Sequence, residues 1–158
     1  MRCYAALLEN TSDSRRYPPR PILGVGALII RNDQVLLVQR GKEPLKGYWS
    51  LPGGAVEAGE ALEAAIRREV LEETNLDVEV VKVIEIFERI TRDAEGRAEY
   101  HYVLIDYLCT VKSGEARAGS DAAGIAWLRR NDLENYSLTE GAAKVIHKAF
   151  DSAARIEA

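Results

Sequence analysis

The sequence predicts an α/β fold in which helices are layered on a mixed β-sheet. Three observations carry that prediction. Segments rich in β-branched and aromatic residues alternate with two stretches of helical periodicity. Leu62, Ile66 and Val70 recur at i, i+4 and i+8, an apolar stripe that a helix can lay on a sheet. The chain has 158 residues, 47% of them hydrophobic and 29% charged, which suits one domain with a proper core.

Taken in order, residues 9–21 (ENTSDSRRYPPRP) combine turn formers with three prolines. This predicts an extended N-terminal arm over residues 1–21 and a folded domain over 22–158. Residues 22–30 are apolar around Gly24 and Gly26, and residues 34–40 follow across Arg31-Asn32-Asp33, so the two segments are expected to pair as strands. Glycine inside a strand marks close approach by a ligand or a backbone, or else a bulge or tight helix packing. Residues 42–51 hold Pro44, Gly47, Tyr48 and Trp49 and run into Pro52-Gly53-Gly54, which predicts a shaped loop. A helix is expected from Gly59 or Glu60 to about Asn75. Residues 78–90 and 99–112, divided by a polar segment containing Glu95-Gly96, read as a second hairpin. A short strand at 125–128 and a helix at 139–150 complete the chain, which has no internal repeat and no low-complexity segment.

Composition narrows the function classes. The net charge is −4 and the pI is near 5.3, with no Lys/Arg block long enough to track a phosphate backbone, which argues against polymeric nucleic acid as the partner. The apolar run at 4–8 is interrupted by Glu9 and is too short for a signal sequence, and no segment approaches the ~20 apolar residues of a membrane span. Cys3 and Cys109 are the only cysteines, and their spacing suggests neither a metal site nor a disulfide framework. A cytoplasmic protein with no membrane partner is the expectation.

The most informative stretch is residues 54–76, GAVEAGEALEAAIRREVLEETNL. At about 100° per residue, Glu69, Glu72 and Glu73 fall within an arc of roughly 100° on one helix face. Carboxylates so crowded repel one another unless a cation sits among them. An all-oxygen set suits a hard cation such as magnesium or manganese, and magnesium is commonly held by a few carboxylates together with substrate phosphates. Metal-assisted phosphate chemistry is the reading. The competing reading, a solvated acidic face paired with Arg67 and Arg68, does not account for the fixed offsets.

Those offsets resemble the Nudix box, G-x5-E-x7-R-E-U-x-E-E-x-G-U with U a bulky aliphatic residue. Gly54, Glu60, Arg68, Glu69, Val70, Glu72, Glu73 and Leu76 match, and Asn75 stands where the pattern has its second glycine. That position follows the helix and is expected to need a left-handed backbone, which asparagine tolerates. The lead-in GYWSLPGG at 47–54 and Trp127 also resemble the family.

The resemblance implies a Nudix-type α/β/α sandwich with a mixed sheet, a divalent cofactor (Mg2+, or Mn2+ in its place), and a catalytic set of Glu69, Glu73, Arg68 and Glu60. It implies metal ligation by Glu69, Glu72, Glu73 and the Gly53 carbonyl, with Asp121, six residues before Trp127, as a further acidic ligand or else a turn former. Glu60 and Arg68 would support the ligands, the arginine through a planar fork that orients carboxylates. The general base would be Glu69 or Glu73, with Glu95 or Glu99 as alternatives from the hairpin tip. Arg40 is the candidate for pairing with phosphate, with a surface charge as the competing reading. Tyr48 and Trp49 are candidates for stacking on a base, as are Phe87, Tyr100, Tyr102 and Trp127, with core roles as the alternative. His101 and His147 read as structural.

The implied reaction is hydrolysis of a nucleoside diphosphate linked to another moiety, releasing a nucleoside monophosphate. The YPPRP arm and the YHYVLIDYLC strand resemble members assigned to ADP-ribose or related nucleotide sugars. The alternatives are a housecleaning pyrophosphohydrolase acting on noncanonical nucleoside triphosphates and a noncatalytic nucleotide sensor. The expected partner is a small nucleotide, and dimers among similar proteins imply a homodimer as one form open to the chain.

Overall fold

The computed structural model describes residues 15–156, with side chains through residue 151. Its elements are β1 (Ile22–Arg31), β2 (Gln34–Arg40), β3 (Trp49–Ser50), β4 (Gly53–Ala55), α1 (Leu62–Thr74), β5 (Asp77–Arg92), β6 (Ala98–Ser113), β7 (Ala122–Arg129), a 3-10 helix (Arg130–Asn135) and α2 (Glu140–Ile156). The sheet is mixed. β1 runs parallel to β6 from Ile22↔Tyr102 to Ile29↔Cys109, while β5–β6, β1–β4, β2–β3 and β2–β7 are antiparallel.

Alternation along the strands makes two cores, one on each face. Val25, Ala27 and Ile29 of β1 and Leu36 of β2 point to the face covered by α1, where Ile66, Val70, Leu76 and Val78 join them. Leu28, Val35 and Leu37 point the other way and meet Val145 and Ile146 of α2. Burying each of the larger aliphatic side chains contributes about 1.5–3 kcal/mol, which is why the stripe through Ile66 and Val70, both fully buried, fixes α1 to the sheet. Among the described residues no helix is long and apolar enough to cross a membrane.

Where local signals compete, the structure departs from the sequence-based boundaries. α1 starts at Leu62 rather than at Gly59 or Glu60, because Gly59 has φ +82° and the Glu60 N–H closes a turn onto the Glu57 carbonyl at 3.1 Å. The expected β1–β2 pairing holds only at Ile30↔Val35 and Arg31↔Gln34, across a turn with Asn32 and Asp33 both at positive φ. Beyond that corner the strands diverge, β1 to β6 and β2 to β7. The segment 42–55, expected as a shaped loop, contains β3 and β4, two very short strands that the loop reading does not anticipate. Asn75 ends α1 at φ 61° and donates its Nδ2 to the Glu115 carbonyl at 3.1 Å, so the asparagine supplies the left-handed residue.

Residues 15–21 form no regular element, and the rest of the predicted arm lies outside the described residues, as does Cys3. Tyr17 fastens this segment to the β5–β6 hairpin: its N–H donates to the Glu99 carbonyl at 2.8 Å and its hydroxyl to Asp93 Oδ2 at 3.0 Å. Cys109 is a buried core thiol whose pKa burial pushes up to about 12, which makes it inert.

Candidate active site

A cleft of about 490 Å³ opens between the β1–β4 edge, the C-terminal half of α1 and the start of α2, within the usual range for a ligand site. Glu69, Glu72 and Glu73 all border it. β4 lays Gly53 and Gly54 against Gly26 and Val25 of β1, and both glycines are required by what crosses them. A Cβ on Gly54 would strike the Glu69 carboxyl, and one on Gly53 would strike the Val25 carbonyl. The glycine turn and the acidic helix thus form one unit.

Arg68 is held by four hydrogen bonds. Its Nε and one terminal nitrogen clamp both oxygens of Glu60 at 2.8 and 2.9 Å, the second terminal nitrogen donates to Glu69 Oε1 at 2.6 Å, and the Ala55 carbonyl accepts at 3.2 Å. Glu60 also accepts the Glu57 N–H at 3.1 Å. The Arg68 hydrogen bonds, and then this backbone donor, hold the Glu60 carboxyl down at about 2, while the Arg68 guanidinium is raised. Glu60 is therefore a permanent anion that anchors Arg68, and Arg68 in turn sets the direction of Glu69.

The two inner acids have the opposite electrostatics. Burial raises Glu73 to about 7 against a restraining hydrogen bond at 2.9 Å from the Gly53 N–H to its Oε2, with Glu69 and Asp121 adding repulsion and Arg40 relieving it. Burial likewise raises Glu69, opposed by Arg68. Glu72 is 54% exposed at the mouth, 3.7 Å from Arg68. As the side chains stand, no three His, Cys, Asp or Glu groups among the described residues converge closely enough to hold an ion; Glu69 is drawn to Arg68 and Glu73 to Gly53. The donor chemistry nonetheless fits a hard divalent ion: oxygens only, from acids whose burial and mutual repulsion a cation would offset.

Comparison with known proteins bears on the same residues. Residues 20–149 match the family model for the NUDIX domain. The chain belongs to the Nudix hydrolase family. An ADP-ribose pyrophosphatase of Methanocaldococcus jannaschii is 35% identical over 132 residues, covering 82% of this chain and 76% of that protein. The nucleoside triphosphatase NudI of Escherichia coli is 30% identical over 128 residues, 75% of this chain and 89% of that one. The crystal structure of a MutT NUDIX hydrolase from Burkholderia pseudomallei superposes with a TM-score of 0.72 at 32% identity, over 81% of this chain and 97% of its own. This Nudix protein is thus an enzyme of the pyrophosphohydrolase class, and the family works with divalent metal ions.

The structure brings some of the sequence-derived candidates of this Nudix enzyme together and leaves others apart. Glu69, Glu72, Glu73, Gly53, Arg40 and Asp121 line the cleft. Arg40 donates its Nε to the Pro44 carbonyl at 2.8 Å, and burial lowers its pKa. Asp121 is at the rim, 2.9 Å from Lys42. Glu60 precedes α1, does not line the cleft, and is clamped by Arg68. Tyr48 and Trp49 do not line the cleft: Tyr48 is exposed, and Trp49 packs edge-on against Tyr136 with ring centroids 5.2 Å apart. Trp127 packs against the α1 core beneath the Arg31 guanidinium, whereas Phe87 and Tyr102 do reach the cleft. Glu99 is spent on Arg16 at 2.8 Å and Glu95 on Arg97 at 3.5 Å, away from the cleft. The sequence reading missed Asp106, a cleft acid whose one signal is a charge inside the apolar run VLIDYLC.

Proposed function

We propose that this Nudix hydrolase cleaves a nucleoside diphosphate linked to another moiety, ADP-ribose or a related nucleotide sugar, with magnesium as the divalent ion, in the cytoplasm. The observation that carries the reading is the cleft itself, where acids from one helix face a glycine turn and an Arg40 with its Nε already engaged. Glu69, Glu72, Glu73, the Gly53 carbonyl and Asp121 would hold the ion. When bound it would neutralise charge on the nonbridging phosphate oxygens and acidify water.

The chain's own groups supply the rest. Arg40 lines the cleft, its charge acts on Glu73, and its Nε is held by Pro44, so it is the residue assigned to the phosphates. The proton released by the attacking water has two acceptors, Glu73 and Glu69, because burial has made both more basic than an ordinary carboxylate. Arg68 keeps Glu69 in one orientation, and Glu60 keeps Arg68 in place.

ADP-ribose is preferred because the M. jannaschii relative carries that activity in its name at 35% identity. The NudI relative favours a second reading, a nucleoside triphosphatase with the same machinery. Comparing kcat/KM on ADP-ribose, other nucleotide sugars and nucleoside triphosphates, with magnesium and with chelator, tests the proposal. Magnesium-dependent release of AMP from ADP-ribose is expected; turnover of triphosphates alone would move the assignment to the second reading, and no turnover of any would remove it.

A further inference from the structure

The cleft holds another acid, carried by a strand rather than by α1. Asp106 of β6 is 5% exposed, yet its side chain lines the cleft. No group among the described residues hydrogen-bonds its carboxyl. Parallel pairing sets it opposite Gly26, where a Cβ would collide with Asp106 Oδ1, so the carboxyl fills the space the glycine leaves beside Leu51. Its cross-strand neighbour Glu85 is already held by Lys148 of α2 at 2.8 Å. The Asp106 oxygens are open to the cleft rather than sealed in the interior, so their donor is whatever enters the cleft, water or a ligand.

Asp106 is on β6, across Gly26 of β1 from Gly53, rather than on α1 with the acids that would hold a cation. Glu73 feels Glu69, Arg40 and Asp121, whereas the charge felt at Asp106 is that of Glu85. Burial, with a smaller push from Glu85, raises Asp106 to about 7. A lone carboxyl repels phosphate and cannot by itself hold a divalent ion. Apolar side chains flank it, Leu51, Leu104 and the Phe87 ring, which is packed so closely on Gly141 of α2 that a Cβ there would strike it, while Thr139, Glu140 and Lys144 line the same cleft from the start of α2. An acceptor flanked by apolar side chains matches an uncharged ring system that carries its own N–H or O–H donor.

We propose that Asp106 is a specificity residue that accepts a hydrogen bond from the nucleoside part of the substrate, through an exocyclic amino group or a ribose hydroxyl. The inference rests on the reading of the cleft as a nucleotide site. Its test is calorimetric titration, with magnesium, of the α,β-methylene analogue of ADP-ribose and of its 6-desamino, 2′-deoxy and 3′-deoxy counterparts on the adenosine side. The parent should bind the full analogue about tenfold or more tighter than whichever counterpart lacks the recognised donor, which identifies amino group or hydroxyl. Asp106→Leu should lose that factor for the full analogue and bind the deficient one within about threefold of the parent, and Asp106→Asn, which keeps one acceptor oxygen, should fall between. A purely structural role would weaken all four ligands alike and overturns the inference. So does a parent that binds all four equally or none, a result that decides the matter even where the leucine variant fails to fold. Because no turnover is involved, donor discrimination without hydrolysis of ADP-ribose would sink the proposed ADP-ribose substrate and leave this inference standing.

Discussion

Replacing Glu73 by glutamine should stabilise the metal-free protein at alkaline pH. Burial lifts this carboxyl from 4.5 to about 7, and at about 1.4 kcal/mol per pKa unit the rise corresponds to about 3 kcal/mol. The sign follows from which state prefers the proton. Below 4.5 both folded and unfolded chains hold it and there is no penalty. As pH rises through about 7 the native state must ionise a buried acid that the unfolded chain ionises at little cost, so stability is lost across that window. Glutamine keeps the acceptor for the Gly53 N–H and has no charge to bury. Urea unfolding of parent and Glu73→Gln in chelator should therefore differ by under about 1 kcal/mol at pH 5 and by about 3 kcal/mol at pH 8, the variant being the more stable. Groups that do not feel Glu73, Asp106 included, are common to both proteins and cancel in the comparison, whereas the release of Glu69 and Asp121 from its charge is part of the difference measured. Equal stability at both pH values, or a variant weaker at pH 8, would refute the claim that this acid is held at an energetic cost for function. The same variant should lose turnover by orders of magnitude while its fold, read by circular dichroism, is intact.

Other outcomes follow from the same geometry. Arg68→Lys replaces a fork by a point charge that cannot clamp Glu60 and reach Glu69 together, so kcat should fall about 10- to 100-fold; an unchanged kcat would show that Glu69 needs no orienting. Gly54→Ala drives a methyl into the Glu69 carboxyl and should weaken manganese binding about tenfold or more by calorimetry, whereas an unchanged Kd would mean that Glu69 does not ligate. Asn75→Ala forces a left-handed alanine and should cost about 1–2 kcal/mol in urea melts, while Asn75→Gly should stay within about 0.5 kcal/mol.

The grouping of the helix acids was more legible than the route of the chain. Carboxylates at i, i+3 and i+4 share a helix face whatever surrounds the helix, so Glu69, Glu72 and Glu73 could be placed beside one another from spacing alone. Strand segments were legible for the same reason, since β-branched runs between turn formers are local signals. Partners were not: β1 reads as half of a hairpin with β2, yet its long ladder is with β6, some 80 positions along the chain, and periodicity does not name a distant partner. β3 and β4 exist only through pairing with β2 and β1, and two or three residues in a Gly/Pro segment carry no signal of their own. Tyr48 and Trp49 looked like stacking residues because aromatics near a glycine turn can be either wall or core. The pairing of Gln39 with Trp49 and the ring of Tyr136 decide for packing in the case of Trp49. Asp106 was passed over inside an apolar strand, although Gly26, noted for close approach, turns out to make room for it.

The central claim is that α1 directs its acids into one cleft so that divalent ions gather there on a pyrophosphate. Crystals grown with manganese and the α,β-methylene analogue of ADP-ribose, measured at an energy where manganese scatters anomalously, test it most directly. The account predicts anomalous peaks between the carboxylates of Glu69, Glu72 and Glu73 and the analogue's phosphate oxygens. Peaks elsewhere, or an analogue bound with those three side chains turned to solvent, would contradict it.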